Sequence, residues 1–493
     1  MKKLVSCFAV ASLLALGSSA IADLCTIEAT PAATLLLPYF EVDIADPNGV
    51  DTFFSINNAS AATTLTHVIV WTDMSVEALD FNVYLTGYDV QTIAMGMMIR
   101  DGILPRTDNS NSVSPLGPYS DGHISYPNCG VMPYTNPALD PAYIDHVQSL
   151  LTGGPSAIYG GRCGGYPYGD NIARGYVTVD VTSDCTLRTP CEDGYFFSGV
   201  TPYEGVGEYA NILWGDWYII NYAENFAQGD TLVHIEAVDP ADQIGQETLN
   251  GTFWGRCSGD TDLWGTVGWA EPWYDLRETL PTTFATRFYQ NEAFQGGTDL
   301  LVWRDSVVQL YFEDYFSGYG DMGIAGFDCS VGPMWYAVTG GLPQRQTVVF
   351  DEQENPEALC TISPCPEADV LFPLETQRAS IPDLDVTPQS GWLYANLNMP
   401  DLYTCDGQDC TLMAQSWMTA IHSAEGRFSA GLPAIQLDNY CDNRSVTLGE
   451  DGPFVDPAVY NFFTYYVYYY YGDQSRTPAA GTELHPRIQA PIN

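Results

Sequence analysis

The sequence predicts an all-β protein made of two related antiparallel β-sandwich domains, immunoglobulin-like or jelly-roll-like, with long loops closed by disulfides. Three observations support this fold class. Short segments alternate apolar and polar residues with a period of two, turns rich in Gly, Pro and Asp separate them, and the cysteines of the mature chain are even in number. Hydrophobic residues make up 46% of the chain, which is enough for a buried core.

The N-terminus has the features of a signal peptide. Lys2 and Lys3 precede an apolar stretch at residues 8–16, and Ala20 and Ala22 supply small residues before a cleavage point. We therefore expect residues 1–22 to be removed and the mature protein to be exported to the cell surface, the medium or the periplasm. No later segment reaches the ~20 apolar residues of a transmembrane helix.

Cysteine usage fits an oxidising compartment. Cleavage removes Cys7 from the 13 cysteines and leaves twelve, so we expect six disulfides. There is no Cys-x-x-Cys pair, which argues against metal binding by thiolates. Six widely spaced cysteines have a pairing that the sequence leaves open: Cys25, Cys129, Cys163, Cys257, Cys329 and Cys441. Three pairs are close enough for local disulfides: Cys185 with Cys191, Cys360 with Cys365, and Cys405 with Cys410.

The strand predictions follow the period-two pattern, and one helix interrupts them. Asp140 is placed to cap that helix, Pro141 suits its first turn, and Gly153 ends it. Its apolar face consists of Ile144, Val147, Leu150 and Leu151. The predicted strands include residues 52–56, 65–71, 81–85, 177–181, 232–237, 300–303, 347–350 and 392–397.

A weak internal repeat suggests a duplication. The pattern TFF…N…VWTD at residues 52–73 is echoed by TRF…N…VWRD at residues 286–305. We expect each copy to continue with an aromatic or β-branched strand and then with a glycine-led strand. These later strands are residues 81–85 and 175–179 in the first copy, and residues 347–350 and 391–395 in the second.

The repeat sets the expected domain organisation. We place the first domain at residues 23–248, with a long loop and helix excursion at 105–170. The second domain takes residues 249–493, with a Pro-rich connection at 356–388 and a Tyr-rich C-terminal segment at 460–471. That segment is predicted to be either a buried terminal strand or an exposed strip for self-association.

Four blocks of sequence resemble an uncharacterised group of secreted bacterial β-rich proteins with no known activity. The blocks are LLLPYFEVD at residues 35–43, FSINNAS at 54–60, LDFNVYLTGYDVQT at 79–92 and DEQENP at 351–356. The resemblance implies export, and it assigns no catalytic residue.

Charge excludes several partners. The chain has 61 acidic and 17 basic residues, and its formal net charge is −44. Both lysines lie in the signal peptide, so the mature chain has 17 − 2 = 15 arginines and a charge of 15 − 61 = −46. This charge repels nucleic acid and anionic lipid headgroups, and it favours a saline environment in which self-repulsion is screened.

Acidic loops make calcium the expected ligand. Hard cations take several oxygen ligands, and carboxylates and amides cluster in turns here, although Asp and Asn also favour turns for local reasons. No segment matches an EF-hand loop. The candidate calcium ligands are Asp43, Asp46, Asn48, Asp51, Asp260 and Asp262.

Motifs for catalysis are missing from the sequence. It has no Gly-x-Ser-x-Gly elbow and no His-Glu-x-x-His, and His67 and His234 lie on strand patterns where a core role is expected. The favoured function is therefore a structural, adhesive or binding protein that self-assembles or binds a glycan or surface partner. The alternative is a carbohydrate-active enzyme or carbohydrate-binding module, for which Trp264, Trp269 and Trp273 are the candidate aromatic platform.

Overall fold

The structure is a computed structural model, and it confirms the all-β fold class. In the part of the chain that the structure describes, the elements are strands in antiparallel sheets, two short α-helices and a 3-10 helix at Ile381–Leu384. None of the helices in the described part of the chain is long and apolar enough to cross a membrane. The described residues are 29–105, 138–240, 253–254, 275–305, 326–358 and 371–437, with gaps of one to four residues inside them, and the backbone of 446–449 and 452–455.

The strands of the first half of the molecule are β1 (Thr34–Asp43), β2 (Val50–Asn58), β3 (Thr64–Thr72), β4 (Glu77–Leu85), β5 (Val90–Ala94), β6 (Ile172–Thr182), β7 (Phe197–Ser198), β8 (Thr201–Pro202), β9 (Leu213–Trp214), β10 (Asp216–Asn221), β11 (Phe226–Thr231) and β12 (Val233–Ile235). They form two large sheets and a separate pair, β7 with β8. One large sheet has the strand order β12-β1-β6-β3-β4, and the other has the order β11-β10-β2-β5, with β9 beside β2.

The core of this half lies between the two sheets. Val68 and Val70 of the first sheet and Phe54 and Trp217 of the second share one buried cluster. The period-two pattern explains this, because alternate residues of each strand point to the same side. The arrangement is a β-sandwich.

Two helices cover this sandwich. Helix α1 is Met95–Ile99, and helix α2 is Pro141–Leu151. The predicted helix is confirmed, since the Asp140 side chain accepts a hydrogen bond from the Ala142 N–H at 2.9 Å. Gly153 follows the helix at φ +75°, a conformation that favours glycine.

The strands of the second half are β13 (Thr283–Asn291), β14 (Gly296–Arg304), β15 (Gln346–Asp351), β16 (Pro356–Ala358), β17 (Thr376–Ser380), β18 (Ser390–Asn396), β19 (Tyr403–Cys405), β20 (Gln408–Cys410), β21 (Ser416–Ala424), β22 (Phe428–Pro433), β23 (Ile435–Gln436), β24 (Val446–Gly449) and β25 (Gly452–Val455). Nine of them form one large sheet, and β19 with β20 and β24 with β25 form separate pairs. The order of the large sheet is β16-β15-β18-β13-β14-β21-β22, with β17 beside β14 and β23 beside β13. The sheet folds over its own core, in which Phe288 and Leu393 from one arm and Val302 and Met418 from the other share a buried cluster.

The two halves share a strand register. Trp71 of β3 is paired with Tyr176 of β6, and Trp303 of β14 is paired with Trp417 of β21. Both Trp71 and Trp303 are buried, as their strand patterns predicted. In the same way β10 pairs with the start of β2, and β23 pairs with the start of β13.

The later strands of the predicted repeat do not correspond in space. In the first half the glycine-led strand β6 pairs with β3, so the repeat predicts that β18 pairs with β14. Instead β21 pairs with β14, and β18 pairs with β13. Likewise β4 lies beside β3, but β15 lies beside β18. The alternation of apolar and polar residues in a strand does not depend on which strand pairs with it. The sequence pattern therefore could not predict the strand neighbours. The predicted domain boundary near residue 248 and the Tyr-rich segment at 460–471 lie outside the described residues.

The halves meet over a third buried cluster and a set of polar contacts. Tyr176 stacks on Trp71, with ring centroids 6.0 Å apart, and meets Trp303 edge-on at 5.8 Å. Arg378 of β17 donates to Glu41 of β1 at 2.8 Å. A disulfide between Cys163 and Cys329 joins segments 166 residues apart.

Candidate functional site

One face of the β11-β10-β2-β5 sheet points away from the core. Phe54 and Ile56 of β2 and Trp217 and Ile219 of β10 belong to the core cluster. The residues between them therefore point outward. We call the outward surface at the centre of this sheet the aromatic platform, and define it by Ser55, Asn57, Trp214, Asp216 and Tyr218.

Two aromatic side chains are exposed on the platform. Trp214 is 43% exposed and Tyr218 is 48% exposed. Trp214 is paired with Asn57 of β2, which places both on the same face. Tyr218 is paired with Gly229, where a Cβ atom would lie 2.4 Å from the tyrosine Cδ1. The glycine lets the ring lie flat against the sheet, so its other face is free for contact.

A chain of polar side chains links these two aromatic positions. The Ser55 hydroxyl donates to Asp216 Oδ1 at 2.6 Å, and the Asn57 amide donates to the Ser55 oxygen at 2.9 Å. The Asn57 amide also donates to the Trp214 carbonyl at 3.1 Å. Asn57 Oδ1 is buried and has no hydrogen-bond partner among the described residues.

The platform can make two kinds of contact at once. Aromatic faces bury flat apolar surfaces, and a fixed carboxylate accepts hydrogen bonds from hydroxyl or amine donors. Because Ser55 and Asn57 hold Asp216 in place, little side-chain entropy is lost when a ligand binds it. The exposed rings make this surface a candidate binding face, and Ser55, whose hydroxyl donates to Asp216, is itself only 8% exposed.

A second group of interest is a pair of carboxyls at the edge of the β12-β1-β6-β3-β4 sheet. A β-bulge places them together: Val70 is paired with Leu79 but Trp71 with Glu77, so Ala78 is an extra residue. Glu77 and Asp80 then lie on the same face of β4, and their side chains hydrogen-bond to each other.

The surroundings favour the protonated form of Glu77. Burial, followed by the charges of Asp80 and Glu192, raises the pKa of Glu77 to about 8. His67 Nε2 lies 3.3 Å from Asp80 Oδ2, and the Tyr159 hydroxyl donates to the Glu77 carbonyl at 3.1 Å. These neighbours enclose the pair, so it resembles a structural group more than a substrate site.

A serine–histidine contact is also buried. His146 Nδ1 lies 2.6 Å from the Ser156 oxygen, but the two residues are 3% and 1% exposed. Burial also lowers the pKa of His146. A substrate cannot reach this serine, so the contact anchors helix α2 to the loop after it.

The first group of predicted calcium ligands lies in the turn between β1 and β2. Asp43 Oδ1 accepts from the N–H groups of Ala45 and Asp46, both at 2.9 Å, and Asp46 Oδ1 accepts from the Asn48 N–H at 2.8 Å. Asp51 accepts from the Gly96 N–H at 2.8 Å. Within the described segments no group of three or more His, Cys, Asp or Glu side chains is arranged to hold a metal. The calcium site stays a prediction.

Other predicted residues have mixed outcomes. His67 and His234 are buried, in agreement with their expected core role. Cys185 is disulfide-bonded, but its pairing with Cys191 stays a prediction. The side chains or backbones of the remaining candidates lie outside the described residues: Asp260, Asp262, Trp264, Trp269, Trp273, Cys191, Cys360, Cys365, Cys405 and Cys410.

Sequence reasoning missed Trp214, Asp216 and Tyr218. The segment LWGDWYIIN at residues 213–221 alternates in the required way and could have been predicted as strand. Comparison with known proteins adds no assignment. No protein-family model matches the chain, no curated protein matches its sequence, and no solved structure matches it.

Proposed function

We propose that the protein is an exported, non-catalytic binding protein that attaches to uncharged carbohydrate through the aromatic platform. The observation that supports this most directly is the pair of exposed aromatics, Trp214 and Tyr218, on either side of the held carboxylate Asp216. A sugar ring has a C–H face that packs on an aromatic ring and hydroxyls that donate to a carboxylate.

The negative charge of the protein favours an uncharged ligand over an acidic one. The formal net charge of −44 disfavours acidic polysaccharides at moderate salt. The contact between the halves also supports adhesion, because Arg378 and Thr376 of β17 both donate hydrogen bonds to β1 and would transmit load through the molecule.

Titration calorimetry with an oligosaccharide selected on a glycan array tests the proposal. Trp214→Ala and Tyr218→Ala should each weaken binding about tenfold or more, as expected for central aromatic contacts. Trp392→Ala is the matched control, because Trp392 is 38% exposed on the other half of the molecule and should leave binding unchanged. Equal affinity in all three variants, or binding only to a cationic peptide, would refute the carbohydrate assignment.

A further inference from the structure

The aromatic platform is extended along one strand direction. Trp214 of β9 is paired with Asn57 of β2, and Trp217 of β10 is paired with Phe54. Both sides of the ladder advance by three residues between these two pairs, so β9 and β10 continue each other beside β2 without a bulge. Trp214 and Tyr218 therefore lie on one line, and their Cα atoms are about 14 Å apart at ~3.4 Å per residue.

Short polar side chains occupy the space between the two rings. Asp216 lies midway between Trp214 and Tyr218 in sequence, and Ser55 holds its carboxylate at 2.6 Å. Ser55 and Asn57 of β2 are only 8% and 2% exposed, so their side chains lie below the exposed rings. A ligand that rests on both rings therefore passes over this polar group and within reach of the Asp216 carboxylate.

We propose that the platform binds an extended, uncharged polysaccharide of the β-1,4-linked type, with its chain parallel to β10, through four successive sugar units. This inference rests on the proposed binding of carbohydrate and adds the length and shape of the ligand. With bond lengths of about 1.5 Å, one pyranose unit advances an extended chain by roughly 5 Å. The first and fourth units are then about 15 Å apart, which matches the separation of Trp214 and Tyr218, and the middle units pass over Asp216.

The straight line through the two rings selects the shape of the ligand. Equatorial bonds at C1 and C4 keep a β-1,4-linked chain extended, whereas the axial bond at C1 of an α-1,4-linked chain makes it curl. In the extended chain the C–H faces of the first and fourth units can lie on Trp214 and Tyr218 together. The equatorial hydroxyls of the middle units point sideways, where Asp216 can accept a hydrogen bond from one of them.

Titration calorimetry on the full chain with cello-, manno- and N-acetylchito-oligosaccharides of two to six units tests this proposal. A disaccharide reaches only one ring, whereas a tetrasaccharide reaches both and makes its second contact intramolecularly. In at least one series affinity should therefore rise about tenfold or more from two to four units, and less than about threefold from four to six. Maltohexaose, which is α-1,4-linked, should bind at least about tenfold more weakly than the hexamer of that series. Equal affinity for dimer and tetramer, or stronger binding of maltohexaose, would overturn the proposal.

Single substitutions show whether the two rings cause the dependence on length. Trp214→Ala and Tyr218→Ala should each bind dimer and tetramer with affinities within about threefold, because only one ring remains. Trp392→Ala is the control and should keep the full rise, and a rise that survives in all three variants would overturn the assignment to these rings. If other sugars bind the platform but none of the three series does, the extended ligand is wrong and the proposed function stands. If no sugar on the glycan array binds, the proposed function fails, and this inference fails with it.

Discussion

Replacing Glu77 by glutamine is expected to stabilise the protein at neutral pH and to reduce the dependence of its stability on pH. Glu77 is held beside Asp80 by the bulge in β4, and Glu192 lies near enough to act on it electrostatically. At neutral pH the buried carboxyl stays protonated in the folded protein but ionises in the unfolded chain. Glutamine retains a hydrogen-bond donor of similar size and has no proton to lose.

The size of the effect follows from the pKa. The pKa of Glu77 rises from 4.5 in the unfolded chain to about 8 in the folded protein, mainly because of burial. The folded state therefore binds more protons, so the contribution of Glu77 to stability is full below pH 4.5 and falls as the pH rises toward 8. Each pH unit in this window costs up to about 1.4 kcal/mol, so between pH 4.5 and 7 the loss is on the order of 3 kcal/mol.

Urea denaturation of the oxidised protein at several pH values between 5 and 8 measures this effect. The unfolding free energy of the wild type should decrease as the pH rises across this window, and that of Glu77→Gln should decrease much less. A shallower slope will remain, because burial also raises the pKa of Asp73 to about 7. Glu224→Gln, an exposed position, is the control and should keep the wild-type slope. The reasoning is wrong if Glu77→Gln and Glu224→Gln show the same slope.

Two further predictions concern the contacts that join the halves. Asp180→Asn should destabilise the protein by about 3–5 kcal/mol in chemical denaturation, because Arg277, 0% exposed and 3.4 Å from Asp180, is left buried without its counter-charge. A variant as stable as the wild type would show that the other partners of Arg277 suffice. Cys163→Ser with Cys329→Ser should cost up to about 5 kcal/mol, since the disulfide closes a 166-residue separation. An unchanged melting temperature would mean that the unfolded chain gains little freedom without this bond.

The fold class could be predicted from the sequence because strand alternation is a local signal. The nine-residue strands β2 and β13 both have a buried phenylalanine, Phe54 and Phe288, at the position that the repeat equates. Strand neighbours are a non-local property, however. The pattern around Gly391 matches that around Gly175, yet the two strands pair with different partners.

The platform could not be predicted for a related reason. Trp214 and Trp217 both lie on strand patterns, and composition gives no sign that one is 43% exposed and the other 1%. Only the pairing of β9 and β10 with β2 decides which face of each strand meets the core. The acidic pair depends in turn on the bulge at Ala78, because without it Glu77 and Asp80 would point to opposite faces.

The placement of the arginines determines what the platform can bind. Arg277 and Arg304 are fully buried, Arg378 bonds to Glu41 and Asp299, and Arg174 pairs with Asp170. These cations stabilise the interior and the contact between the halves, so the surface charge is dominated by carboxylates.

Salt dependence therefore separates the two ligand classes that fit an aromatic platform with one carboxylate. Screening at molar salt shortens the Debye length to ~3 Å and weakens attraction of a cationic ligand to the acidic surface by orders of magnitude. Stacking of an uncharged sugar on Trp214 and Tyr218 does not depend on this electrostatic attraction. Affinity that is nearly constant between dilute buffer and 1 M salt supports the sugar, whereas a steep loss assigns the platform to a cation.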